Sequence, residues 1–126
     1  MTRRAPWKLL IVDDHAPMRA TLRALLAPSA GEIHEAADGT AAVAQFIAQR
    51  PDWVIMDLRM RPVNGLAATG EIRRRDPAAR VVIVTQQDDA GLRAAAAEAG
   101  ACAFFPKDDL QALTDLLAAG PDVNAA

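Results

Sequence analysis

Short apolar runs alternate with helical patterns along this chain of 126 residues, and the alternation constrains the fold more than any other feature. Four of the runs are nearly continuous in apolar residues and lead directly into polar ones, as expected for parallel strands that are buried on both faces. These runs occupy residues 8–12, 53–56, 81–84 and 103–105, and a weaker fifth run lies at about residues 32–36.

Residues typical of helix ends separate the runs. Pro17 suits the first turn of an opening helix, and Asp38 is placed to cap the second helix. Gly100 is typical of a helix stop. The predicted bounds of the later helices are about residues 66–75, ended by Asp76-Pro77, about residues 88–99, and a last helix capped by Asp108 or Asp109 and running through Leu117.

Five strands that alternate with five helices indicate an α/β fold in which helices cover both faces of a parallel sheet. Right-handed crossovers leave few ways to wind such a sheet, and we expect the flavodoxin-like, doubly wound (βα)5 arrangement with strand order 2-1-3-4-5. One such domain accounts for residues 7–119 and leaves tails at residues 1–6 and 120–126. Its ligand site would lie beyond the carboxyl ends of the first and third strands.

Composition narrows the class of protein. An apolar fraction of 52% with a formal net charge of -2 fits a globular protein and gives no sign of general nucleic-acid binding. Cys102 is the only cysteine, which excludes an internal disulfide and favours a reducing cytoplasm, and we expect it in the core. No apolar stretch reaches the ~20 residues of a membrane span, so we expect a cytoplasmic protein without membrane contact.

Three carboxylates are predicted to meet at the site edge of the sheet. Asp13 and Asp14 follow the first strand, and Asp57 follows the third. Like charges this close raise one another's pKa values unless a cation lies between them. Mg²⁺ is a hard ion that is held by a few carboxylate oxygens and several waters. The sequence therefore predicts a divalent-metal site.

Thr85 follows the run at residues 81–84 and Lys107 comes after the run at residues 103–105, so both lie at the same edge and add a hydroxyl and an ammonium group to the acids. A carboxylate can attack a phosphoryl group whose oxygens are neutralised by Mg²⁺ and lysine, and Asp57 is the central acid. Taken singly, each residue is more often a helix cap, an ordinary strand residue or a solvated side chain. Because four strands place polar ends at one edge, the set favours phosphoryl transfer to Asp57.

Four segments resemble the response regulator receiver family of two-component signalling: LIVDDH at residues 10–15, VIMDLRM at 54–60, IVT at 83–85 and FPKD at 105–108. The resemblance covers about residues 7–117, and its details are similar to the branch that often carries a helix-turn-helix output domain. It implies a signalling switch rather than an enzyme with turnover. Asp57 would accept the phosphoryl group from a histidine kinase or a phosphotransfer protein.

The resemblance also implies roles for the neighbouring residues. Asp14, Asp57 and the backbone carbonyl of Arg59 would bind Mg²⁺ directly, with Mn²⁺ as an alternative ion, and Asp13 would act on the ion through water. Lys107 would contact the acyl phosphate. These assignments make phosphorylation dependent on the metal.

The resemblance implies that Thr85 and Phe104 change position when the domain is phosphorylated. Thr85 would swing toward the phosphoryl group and draw Phe104 inward, which changes the surface of the fourth helix, fifth strand and fifth helix. Phe104 lacks the tyrosine hydroxyl common at this position, so we expect its inward position to be appreciably populated before phosphorylation. The changed surface would bind a downstream protein partner or form a homodimer, and the chain itself is not expected to bind nucleic acid.

Two departures from the family pattern affect the expected surfaces. Arg61-Pro62 follows Met60 where the family commonly has proline directly after methionine, which predicts a different loop shape. Residues 94–97 are all alanine, so we expect the fourth helix to offer a partner few large side chains.

Two other functions stay open at this point. A phosphate-independent receiver-like interaction module would share the fold, although such modules normally lose one of the five site residues and this chain has all five. A phosphatase of the haloacid-dehalogenase type also uses a strand-end aspartate with Mg²⁺, but its pattern needs a second aspartate two residues later. His15 and Arg59 occupy those positions here, which argues against phosphatase turnover.

Overall fold

Five parallel strands and five α-helices alternate in the computed structural model, which describes residues 6–60, 64–86 and 89–119. The sheet order is β2-β1-β3-β4-β5, so the predicted flavodoxin-like arrangement is confirmed. In chain order the elements are β1 (Trp7–Val12), α1 (Ala16–Leu26), β2 (Ala30–Ala36), α2 (Gly39–Gln49), β3 (Trp53–Met56), α3 (Gly65–Arg75), β4 (Val81–Thr85), α4 (Ala90–Ala99), β5 (Ala103–Pro106) and α5 (Leu110–Ala119), with a short 3₁₀ turn at Ala27–Ser29.

The register of the strands aligns their carboxyl ends. Val12 is paired with Met56, and Met56 in turn with Ile83. Thr85 is paired with Pro106 at the end of β5. The residues that follow β1 and β3, together with those that end or follow β4 and β5, therefore emerge at one edge of the sheet.

Alternate strand residues build a separate hydrophobic layer on each face of the sheet. Leu10 and Val12 pack on the face that carries α2, α3 and α4, where Phe46 and Ile72 are buried. On the opposite face, the buried side chains of β1 and β3 pack against Leu22 and Leu26 of α1 and against Leu113 and Leu117 of α5. Burial on both faces explains why the strands read as continuous apolar runs.

The predicted helix ends are largely confirmed. Asp38 accepts a hydrogen bond from Ala41 N at 2.8 Å, and Gly100 ends α4 in the left-handed conformation. α3 begins at Gly65, one residue earlier than predicted, because Asn64 caps it. Asp89 caps α4, whereas the predicted start at Asp88 lies outside the described residues, as do Arg61 and Pro62.

Cys102 was expected in the core, and this prediction is wrong: the residue is exposed. It lies between the end of α4 and the start of β5, and its backbone N–H donates to Val81 O. β5 is an edge strand whose residues are only partly buried, so a small apolar side chain at its entrance reaches solvent. Among the described residues no helix has the length and apolar character to cross a membrane.

Candidate functional site

Asp13, Asp14 and Asp57 meet at the carboxyl edge of the sheet, with one carboxylate oxygen of each within 4.8 Å of the others. Backbone hydrogen bonds continue past the strands and fix these positions: Asp57 N donates to Val12 O, and Asp13 N donates to Ala36 O. Asp13 is 1% exposed and Asp57 is 6% exposed, whereas Asp14 faces solvent. The structure therefore brings together the three acids that the sequence predicted to converge.

Lys107 supplies the positive charge of the cluster. Its Nζ lies 2.8 Å from Asp13 Oδ2 and 3.5 Å from Asp57 Oδ1. One ammonium facing three carboxylates leaves an excess of acidic groups, which a divalent cation could balance. Two buried carboxylates beside one open to solvent suit a hard ion that keeps some of its waters.

The pKa of Asp57 reflects this environment. It is raised from 3.8 to about 6, chiefly by burial and also by the nearby charge of Asp13. The Lys107 ammonium and the backbone N–H of Arg59 oppose this rise. The carboxylate of Asp57 is therefore a poorly stabilised anion that gains from any cation placed beside it.

Asp13 already uses both of its carboxylate oxygens within the protein. Oδ1 accepts from His15 N at 2.9 Å and Oδ2 accepts from Lys107. Its backbone carbonyl accepts from Arg19 Nη1 at 2.6 Å, and Arg19 Nε in turn donates to Glu35 at 2.9 Å. Asp14, by contrast, has a carboxylate that is exposed to solvent.

The sequence patterns did not identify Arg19 and Glu35 as residues that support the site. Arg19 lies one turn into α1 and Glu35 lies in β2, and together they hold the turn that carries Asp13. A single arginine on an amphipathic helix gives no local sign of this role. The pairing depends on β2 lying next to β1 in the sheet.

A cleft of about 260 Å³ opens onto the acids. Thr85 is 1% exposed at its wall, and its carbonyl accepts from Lys107 N at 2.7 Å. Gln86, which the sequence reasoning did not single out, is part of the lining. The full lining consists of Asp13, Asp14, His15, Asp57, Arg59, Thr85, Gln86 and Lys107.

Gly65 allows α3 to begin against the backbone of Asp57. Its N–H donates to Leu58 O at 3.0 Å, and a Cβ at this position would lie 2.0 Å from the carbonyl oxygen of Asp57. Real Cβ atoms do not approach a backbone oxygen so closely, so only glycine fits without moving the strand end.

Phe104 lies outside the cleft. It belongs to β5, pairs in register with Ile83, and packs against the hydrophobic layer beneath α2, α3 and α4. The guanidinium carbon of Arg93 in α4 lies 4.7 Å from the centre of its ring. The structure thus places the five predicted polar side chains around one cleft, which Arg59 also lines. The predicted aromatic residue lies instead at a neighbouring contact between α4 and β5.

The fold and this cleft define a doubly wound α/β domain with an acidic site at the point where strand order reverses. Residues 9–118 match the family model for the response regulator receiver domain, and the chain belongs to that family. Its acidic cluster lies where phosphorylation is expected in these signalling modules.

Individual relatives agree with this assignment. The chain is 32% identical over 123 residues to the nitrate/nitrite response regulator protein NarP of Escherichia coli K12, covering 95% of this chain and 57% of NarP. It is 35% identical over 101 residues to the chemotaxis protein CheY of Thermotoga maritima, covering 79% of this chain and 84% of CheY. The chain thus spans little more than half the length of NarP and 48% of the response regulator MprA of Mycolicibacterium vanbaalenii.

Solved structures of response regulators also match this chain. A two-component response regulator of the LuxR family from Aurantimonas sp. SI85-9A1 superposes with a TM-score of 0.81 at 33% identity, over 94% of this chain and 93% of that one. The response regulator TrrA of Thermotoga maritima, solved in complex with Mg²⁺ and BeF, has a TM-score of 0.78 at 28% identity, over 86% of this chain and 93% of that one.

Proposed function

We propose that this domain is a metal-dependent phosphorylation switch in which Asp57 accepts a phosphoryl group from a histidine kinase or a phosphotransfer protein. The observation that carries the proposal is the cleft itself, where a buried, poorly stabilised carboxylate lies between two further acids and one lysine. Asp14, Asp57 and the backbone carbonyl of Arg59 would hold Mg²⁺, or Mn²⁺ in its place, and Asp13 would act through water.

The transfer needs no general base. A carboxylate oxygen of Asp57 attacks phosphorus while the bond from phosphorus to the donor nitrogen breaks, and the electron pair leaves with the donor imidazole, which takes up a proton. The metal ion supplies charge neutralisation for the phosphoryl oxygens. Because Asp57 attacks as the anion, a bound cation that lowers its raised pKa would increase the fraction of domains able to react.

Lys107 would respond to the new charge. Its ammonium contacts Asp13 at 2.8 Å and lies 3.5 Å from Asp57, so a small movement brings it to an oxygen of a phosphoryl group on Asp57. Thr85 would donate its hydroxyl to another of these oxygens. A phosphoryl group can shift the domain between two conformations only because such contacts favour one of them.

The readout would be the surface formed by α4, β5 and α5. Thr85 ends β4 and Phe104 lies in the paired strand, so a movement of Thr85 acts on the contact between β5 and α4. A downstream protein or a second copy of the domain would bind the changed surface.

Intact-mass measurement after incubation with acetyl phosphate tests the proposal. We expect one phosphoryl adduct that needs Mg²⁺ and is absent in Asp57→Asn. Asp115→Asn is the matched control, because Asp115 is exposed on α5 and contacts Gln111 rather than the cleft. Equal labelling of Asp57→Asn would assign the phosphoryl group to another residue, and a wild-type protein without any adduct would support the phosphate-independent interaction module.

A further inference from the structure

A cation–π contact joins α4 to β5. The Arg93 guanidinium lies 4.7 Å from the centre of the Phe104 ring, within the ~6 Å range of this interaction. Arg93 is on the solvent side of α4, whereas Phe104 is only half-buried. The guanidinium therefore contacts the ring where β5 meets the helix.

Phe104 shares a sheet face with Thr85. In β4, Val81 and Ile83 contribute to the hydrophobic layer beneath α4, and strand alternation places Thr85 on that same face. Phe104 pairs in register with Ile83, two residues before Thr85. A ring drawn toward the end of β4 would become more buried and would lose the guanidinium on the outer side.

We propose that Arg93 is a positioning residue that holds Phe104 in its outer position and thereby opposes the switch. The inference rests on the proposed function, because it concerns the same movement of Thr85 and Phe104. A tyrosine hydroxyl is not needed to anchor this ring, since the guanidinium contacts its face. The lack of a tyrosine hydroxyl predicts that Phe104 often occupies the inward position before phosphorylation. The contact with Arg93 lowers that population.

The size of the effect follows from the strength of the contact. A partly exposed cation–π pair contributes enough to change an equilibrium about two- to fivefold. If the outer ring position dominates, removing the pair raises the fraction of domains ready for the phosphorylated conformation by that factor. The apparent affinity for a phosphoryl analogue rises by the same factor, since it scales with the competent fraction.

Calorimetric titration with beryllofluoride at saturating Mg²⁺ measures this affinity. Arg93→Met replaces the guanidinium with an unbranched apolar side chain and so removes the charge, and we expect binding about two- to fivefold tighter than in the wild type. Arg93→Lys keeps a cation over the ring and is expected to restore most of the wild-type constant. Arg74→Met is the matched charge control, because Arg74 lies on α3 and pairs with Glu71, away from Phe104.

A double-mutant cycle separates the ring contact from any other effect of Arg93. In a Phe104→Leu background no π face remains, so Arg93→Met should leave the beryllofluoride constant unchanged. Ring NMR signals of labelled phenylalanine give a second readout, because the chain has only three phenylalanines and Phe46 and Phe105 serve as internal references. Arg93→Met should shift the Phe104 signals toward their positions in the beryllofluoride-bound wild type.

The outcomes separate this inference from the proposed function. A wild-type protein that binds no beryllofluoride would overturn the proposed switch. Normal wild-type binding with an unchanged constant in Arg93→Met would overturn the role of Arg93 only. The same would follow if Arg93→Met tightened binding equally in the Phe104→Leu background, since the charge would then act without the ring.

Discussion

At the scale of single residues, the burial of the Asp57 carboxylate has a cost in stability. The pKa of its carboxyl is raised from 3.8 to about 6, chiefly by burial. The folded state thus holds the proton more tightly than the unfolded chain does. The stabilisation this gives is fully present below pH 3.8 and is lost as the pH rises to about 6, so at neutral pH the ionised Asp57 destabilises the fold.

Asp57→Asn should therefore stabilise the metal-free domain at neutral pH. The shift from 3.8 to about 6 sets an upper limit of roughly 2–3 kcal/mol on this gain in unfolding free energy. The gain should shrink toward pH 3.8, where the wild-type carboxyl is also neutral. Urea unfolding across this pH range, with chelator present, measures it. Asp115→Asn should show no such pH-dependent gain, and a destabilised Asp57→Asn at neutral pH would contradict the assigned burial cost.

At the scale of elements, α3 is placed by the absence of a side chain at its first residue. Gly65 begins the helix where a Cβ would lie 2.0 Å from the Asp57 carbonyl oxygen. The strand end that carries the phosphoacceptor candidate and the start of this helix are therefore one packed unit. Displacing the helix displaces Asp57.

Gly65→Ala should destabilise the domain by about 2 kcal/mol or more, because strand or helix must move to admit the methyl group. Gly70→Ala is the matched control in the same helix. A Cβ at Gly70 meets only the end of the Arg74 side chain, at 3.6 Å, and alanine is the better helix former, so this variant should gain about 0.5–1 kcal/mol. Denaturant midpoints of both variants provide the measurement. Equal changes in stability for the two variants would argue against the close approach of Gly65 to the Asp57 carbonyl.

At the scale of the whole molecule, a buried hydrogen bond joins elements from opposite ends of the described chain. Trp7 Nε1 donates to Leu117 O at 2.8 Å, which ties the start of β1 to α5. Trp53 packs edge-on against Trp7 with ring centres 6.3 Å apart, and within the described residues its Nε1 has no hydrogen-bond partner. Among the described residues, the indole N–H of Trp7 is therefore hydrogen-bonded and that of Trp53 is not.

Trp7→Phe should cost more stability than Trp53→Phe. Both variants lose part of a buried ring, but only Trp7→Phe also removes the hydrogen bond to the Leu117 carbonyl, which adds about 1–3 kcal/mol. Hydrogen exchange should also quicken in α5 for Trp7→Phe alone. Equal unfolding free energies for the two variants would show that the hydrogen bond contributes nothing net.

The sequence by itself determined the fold class and the composition of the site. Apolar runs that lead into polar residues predict parallel strands, and the carboxyl ends of such strands share one edge whatever the detailed packing. Asp13, Asp57, Thr85 and Lys107 could therefore be placed together without any distance being known. Helix caps such as Asp38 were equally accessible, since they depend on neighbours three residues away.

Only the tertiary structure decided how these groups act on one another. Lys107 contacts Asp13 across 94 residues of sequence, and the raised pKa of Asp57 comes first from burial that no local pattern encodes. The contact between Arg93 and Phe104 depends in the same way on α4 lying over β5. Cys102 reaches solvent because β5 is an edge strand. Sequence patterns specify which residues an element carries, whereas the distances and burial that set their energies arise only when distant elements pack.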